Sequence, residues 1–171
     1  MVLTGNIFTE DRRFKYGEVE IEEGLIKAVR VISDGIKEGE NYILPGFTDI
    51  HTHGCVGHDT CDGDAESIIK MAEFELSQGV TSYYPTTMTF DEQRLTKVVK
   101  AVAEASKTAK NIKGIYLEGP FISLEKCGAQ NPKYITKPDF GMIERLNEAS
   151  EGLVWFVAIA PDTVGALDVI K

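Results

Sequence analysis

The sequence predicts an α/β protein. Residues 1–42 read as a small leading β-sheet, part of a β-sandwich, and residues 43–171 as the first half, about four βα units, of a (β/α)8 barrel. Three observations predict this. Strand-like and helix-like segments alternate from residue 43 onward, with strands starting near 43, 80, 113 and 153. Each strand runs into polar or metal-binding groups, "HTH", "PTTMT", "EGPF" and "APD", and active groups at successive strand ends are the barrel pattern. The first crossover carries no Gly-x-Gly-x-x-Gly, which removes support for the competing doubly wound sheet with a dinucleotide site. A closed barrel takes about 250 residues, so the length after the leading sheet accommodates half of one.

The leading strands are "VLTGNIFT", "GEVEIEEG" and "LIKAVRVISDG", rich in β-branched residues and separated by Gly and charged turns. Three strands alone are marginal, so partners from elsewhere are expected. A strand over residues 43–50 leads into a helix over "DAESIIKMAEFELSQG". Its expected apolar stripe is Ile68, Ile69, Ala72 and Leu76 with Phe74 beside it, and Gly79 stops it. "VTSYYPTT" is the next strand. "DEQRLTKVVKAVAEASKTA" is a helix capped by Asp91, with Leu95, Val98, Val99, Val102 and Ala105 at helical spacing. "IKGIYLEG" is a third strand, followed by a long loop, a helix over "DFGMIERLNEAS" and a fourth strand, "LVWFVAIAP". Asp162 is the expected cap of one more helix.

Composition narrows the function classes. Apolar residues make up 43% and charged residues 26%, enough to bury a core. The net charge of -9 and the lack of a basic patch argue against nucleic acid. No run approaches a membrane span and the start lacks a signal peptide, so a cytoplasmic protein is expected. Three cysteines, Cys55, Cys61 and Cys127, without framework spacing fit reduced thiols.

All three histidines and two of the three cysteines fall within residues 46–64, "GFTDIHTHGCVGHDTCDGD". His51 and His53 stand two apart at a strand end, so their imidazoles share one face, an arrangement suited to zinc or another borderline divalent ion. Alone, a His-x-His is equally a pair of exposed turn histidines. Asp49, on the same face, is a candidate to buttress a ring. Glu118 ends the third strand, where a carboxylate must be paired, hydrated or metal-bound, the plain alternative being a salt bridge to a Lys. In a barrel the first and third strand ends surround one mouth, so His51, His53 and Glu118 can reach one ion. Two His plus one carboxylate leave a position open, as in catalytic zinc sites. Such an ion equips hydrolysis of an amide or ester, which still needs an acid/base group. Cys55, His58 and Cys61 match no structural zinc spacing, and Asp59 and Asp62 read as turn residues. The loop "EKCGAQNPKY" is equally a holder for the polar end of a small substrate or an ordinary solvated loop.

"LPGFTDIHTHG", "GVTSYYPTTMT", "GIYLEGPFIS", "KCGAQNP" and "IAPD", in this order, resemble the amidohydrolase superfamily, and within it the N-acetylglucosamine-6-phosphate deacetylase family. "LEGPF" followed by Gly-Ala-Gln-Asn-Pro is the most specific part. The resemblance implies a metal-bearing (β/α)8 barrel with a small β-sandwich, usually dimeric, that removes acetate from N-acetylglucosamine 6-phosphate to give glucosamine 6-phosphate. It implies Glu118 as principal metal ligand, His51 and His53 as the pair supporting a second metal in some members, and Ala129 and Gln130 as substrate contacts. The cofactor implied is a divalent metal, zinc or iron. The family's later metal histidines, sugar-phosphate arginine and catalytic aspartate have no counterpart here, so the general base is expected beyond Lys171 and the chain reads as an N-terminal half.

Two consequences follow as expectations. A half barrel leaves open strand edges, so the chain pairs with copies of itself or with a missing C-terminal half. The alternatives to a deacetylase are an inactive half-barrel serving as a metal-binding or assembly module, and another amidohydrolase acting on a cyclic amide.

Overall fold

The computed structural model describes residues 1–171. The chain divides into two compact units, Met1–Gly46 and Phe47–Lys171.

The first unit is a four-stranded sheet in the order β3-β2-β1-β4. β1 (Val2–Phe8), β2 (Phe14–Glu22) and β3 (Leu25–Ser33) form an antiparallel meander. Glu23 and Gly24, with φ of 51° and 76°, make the tight β2–β3 turn, whose two left-handed residues match the strand twist. The partner the three strands need comes from the same segment. β4 (Tyr42–Ile43) runs parallel to β1, with Asn6 opposite Tyr42 and Ile7 opposite Ile43. Asn6 delivers it: its buried side chain donates to Lys37 O at 3.0 Å and accepts from Lys37 N at 2.8 Å, folding the connection back along β1. The single strand expected over residues 43–50 is therefore two. Tyr42–Ile43 completes the first sheet and Phe47–Thr52 opens the second unit, with Pro45, which has no N–H to donate, between them.

The second unit alternates strands and helices. β5 (Phe47–Thr52) is followed by a short hairpin, β6 (Gly54–Cys55) and β7 (His58–Asp59), and by α1 (Ala65–Ser77). Then come β8 (Val80–Pro85), α2 (Glu92–Thr108), β9 (Ile115–Glu118), α3 (Phe140–Ala149), β10 (Val154–Ala158) and α4 (Ala166–Ile170). β5 pairs with β8 and β9 with β10, both parallel. Parallel bridges Tyr83–Ile112 and Thr86–Tyr116 join the β8 segment to the β9 segment. All four C-terminal strand ends consequently lie on one side.

Helix faces build the core. Leu95, Val99 and Val102 of α2, Ile68, Met71 and Ala72 of α1, and Met142 and Leu146 of α3 pack with Tyr83, Ile115, Leu117 and Phe121. Asp91 caps α2 as expected, its carboxylate accepting from Arg94 N at 2.9 Å. The buried face of α1 departs from expectation. Ile68 and Ala72 are buried, but Phe74 and Leu76 are exposed, and Met71 and Glu75 take the inner positions. Positions 68, 71, 72 and 75 follow the helical repeat, whereas 74 and 76 fall off it. Asp162 caps nothing: α4 starts after Gly165, whose φ of 90° ends a turn that separates Asp162 from the helix.

Candidate metal centre

β5 and β9 bring together the three residues that the sequence singled out. His51 and His53 lie at the end of β5 and Glu118 is the last residue of β9. His53 Nε2 is 2.8 Å from Glu118 Oε2, His51 Nε2 is 3.2 Å from the same oxygen, and the two Nε2 atoms are 3.3 Å apart. Donor atoms at about 2.0–2.1 Å from a tetrahedral zinc ion lie about 3.3 Å from one another, and closer at higher coordination. The observed spacing fits one ion. No Lys pairs with Glu118; its partners are the two imidazoles. The three side chains are 44%, 32% and 25% exposed, so the cluster sits partly sheltered but open to a small molecule.

Local contacts hold the His51 ring. The His51 ring meets Tyr116 edge-on with centroids 4.8 Å apart. Tyr116 is a site residue that the sequence reading missed, although it lies two positions before Glu118 and so on the same face of β9. His53 Nδ1 is buried with no hydrogen-bond partner, so this ring makes its polar contacts through Nε2 alone. Asp49 does not buttress a ring. Its carboxylate accepts from the backbone N–H of His51 at 2.8 Å and from the Thr52 hydroxyl at 2.5 Å, because the chain's own turn brings those donors nearer. It fixes the strand end rather than an imidazole.

The threonines of "PTTMT" form a buried support. Thr86 Oγ1 accepts from Thr52 N at 3.1 Å and donates to Tyr84 O at 3.2 Å. Thr89 donates its hydroxyl to Glu118 O at 3.3 Å, and its N–H donates to Gln130 Oε1 at 2.7 Å. Gln130 is buried, with its amide nitrogen 3.5 Å from Met88 Sδ, while Ala129 beside it is exposed. The Gln130 oxygen thus points at backbone, a placement that sequence spacing does not disclose.

Nearby polar groups have other roles. Cys55 Sγ donates to Met71 O and Cys61 Sγ accepts from Met88 N, so the two sulfurs share no zinc knot. Burial pushes both thiols up to about 11, reinforced at Cys55 by the charge of Glu75. Asp59 and Asp62 form a reciprocal turn, Asp59 accepting from Cys61 N and Asp62 from Asp59 N. His58 stays in the β6–β7 hairpin.

Known proteins carry the same chain path. The N-acetylglucosamine-6-phosphate deacetylase of Bacillus subtilis (strain 168) is 31% identical over 178 residues, covering 96% of this chain and 45% of the relative. The crystal structure of N-acetyl-D-glucosamine-6-phosphate deacetylase from Mycobacterium smegmatis superposes with a TM-score of 0.85 at 29% identity, covering 99% of this chain and 46% of that one. The chain matches the N-terminal part of N-acetylglucosamine-6-phosphate deacetylases. An N-acetylgalactosamine-6-phosphate deacetylase of Escherichia coli O157:H7 is 28% identical over 96% of this chain and 45% of its own length. The chain therefore spans about half the length of the curated deacetylases it matches. No family model matches it. No helix is long and apolar enough to cross a membrane.

Proposed function

We propose that this chain supplies part of the metal site of a hydrolase that removes the acetyl group from N-acetylglucosamine 6-phosphate. The reaction consumes water and yields acetate and glucosamine 6-phosphate. The single observation that carries the reading is the convergence of His51 Nε2, His53 Nε2 and Glu118 Oε2 within 3.3 Å of one another.

In this reading the two imidazoles donate nitrogen lone pairs and Glu118 donates an anionic oxygen to one divalent cation, zinc first and iron second. When bound, the cation supplies Lewis acidity toward water and toward the amide carbonyl. Tyr116 holds the His51 ring and Asp49 holds the backbone that carries it, so the His51 Nε2 stays aimed at Glu118. The exposed Ala129 lies on a loop that leaves β9 just after Glu118, a placement that supports contact with the sugar. The general base and the phosphate-binding groups are assigned to the part of the deacetylases that this chain does not match.

The four parallel strands correspond in this proposal to half of a (β/α)8 barrel. Support comes from the outer strands: β5 and β10 each pair on one side only, and Phe47, Ile50 and Trp155 on them are exposed. Such edges are completed by a further barrel half or by a second copy.

The similarity to an N-acetylgalactosamine-6-phosphate deacetylase keeps the C4 epimer as a second substrate. The test is metal content and acetate release by the zinc-loaded chain with each amino-sugar phosphate in turn. Glu118→Gln is expected to lose the ion; unchanged metal content in that variant refutes the ligand assignment. Acetate release refutes the reading as a mere binding or assembly module; metal retained without acetate release from either sugar fits that module or a half whose general base lies in the unmatched part.

A further inference from the structure

Glu118 is the one carboxylate in the cluster, and its direction is set by the backbone at the end of β9. That backbone is gripped from outside the strand. Thr89, 1% exposed in the segment after β8, donates its hydroxyl to Glu118 O at 3.3 Å. The next residue, Gly119, has a φ of 79° and packs so closely that an added Cβ would collide with Thr89 Oγ1. Thr89 is held in turn. Its N–H donates to Gln130 Oε1 at 2.7 Å, and Gln130 N donates to Cys127 O at 3.0 Å, so a buried side chain clamps the loop after β9 onto the segment after β8.

We propose that Thr89 and Gln130 are positioning residues that aim the Glu118 carboxylate at the imidazoles of His51 and His53, Thr89 through the Glu118 carbonyl and Gln130 through Thr89. The inference rests on the metal reading above. Neither residue is among the three donor atoms of the cluster. Each acts by limiting the backbone to the one orientation in which Glu118 Oε2 faces both Nε2 atoms. A flexible carboxylate would lose that aim each time the strand end relaxed.

The experiment measures zinc affinity by chelator competition and melting temperature without metal, for the full 171-residue chain and four variants. Glu118→Gln tests the underlying reading. Thr89→Val keeps shape and removes the donor, Thr89→Ser restores it, and Gln130→Met removes the acceptor at similar length. The expected result is affinity weakened about 10- to 100-fold in Thr89→Val and Gln130→Met, the range for outer partners of metal ligands, with recovery in Thr89→Ser. A merely structural role would lower the melting temperature and leave the affinity of the folded fraction unchanged. The proposal is overturned if Glu118→Gln loses zinc while Thr89→Val and Gln130→Met bind it as the parent does. Should Thr89→Val fail to fold, parental affinity in Gln130→Met alone overturns it. If Glu118→Gln keeps zinc, the metal reading fails first and the positioning role goes with it.

Discussion

His53 Nε2 and Glu118 Oε2 stand 2.8 Å apart although they come from the first and third strands of the parallel unit. The contact forms because β5, β8 and β9 run side by side in one direction, which places the ends of β5 and β9 on the same rim. Tyr116, one turn of the pleat before Glu118, extends that rim to the second imidazole. Replacing Tyr116 with Leu removes the ring edge that steadies His51 and leaves every donor atom in place. An aromatic pair is worth about 0.5–1.5 kcal/mol, so zinc affinity should fall roughly two- to twelvefold, read by chelator competition. Parental affinity would make Tyr116 a packing residue only.

Glu75 sits on the inner face of α1 and is 8% exposed. Burial pushes its carboxyl above the usual 4.5, and the like charge of Asp49 adds to the shift. The folded state therefore holds this proton more tightly than the unfolded state does. The stability from that proton is fully present below pH 4.5 and is lost as pH rises through the elevated folded value. Glu75→Gln should match the parent's melting temperature in acid and exceed it at neutral pH. A difference that stays constant from pH 4 to pH 8, about the range that thermal melts cover, would show that the carboxyl does not titrate in this way.

The three thiols should separate by reactivity. Thiolate is the nucleophile, and burial holds Cys55 and Cys61 near 11, while Cys127 lies half-buried on the loop after β9. Alkylation at neutral pH is expected to show one fast site that disappears in Cys127→Ser. Fast labelling at Cys61 would mean that its contact with Met88 N opens readily.

Two aspartates that look alike in sequence should differ in stability measurements. Asp91→Ala removes the α2 cap and should cost about 1 kcal/mol. Asp162→Ala touches no helix end and should stay within about 0.5 kcal/mol of the parent, as ordinary surface changes do. Leu95→Ala, in the core against α1 and the sheet, should cost about 2–5 kcal/mol. Denaturant midpoints would check all three.

Much of this was legible because local rules act over a few residues. The spacing of Leu95, Val98, Val99, Val102 and Ala105 named the inner face of α2, and each is buried. Asp91, Asp59 and Asp62 carry the turn chemistry expected of them. The α1 face differs from the sequence expectation at Phe74 and Leu76 because helical phase, not hydrophobicity alone, selects the inner positions, and phase admits Met71 and even the carboxyl of Glu75. Asp162 misled because a capping residue type says nothing about where the chain next adopts helical dihedrals.

By itself the sequence determined the alternation of strands and helices, the shared face of His51 and His53, and Glu118 at a strand end, since periodicity and chain direction are local properties. Only the tertiary structure decided that these three side chains meet, that Tyr116 backs one ring, and that Asp49 and Gln130 turn to backbone N–H groups. Those outcomes depend on which strands lie side by side and on which buried donor stands nearest, and no spacing along the chain encodes either.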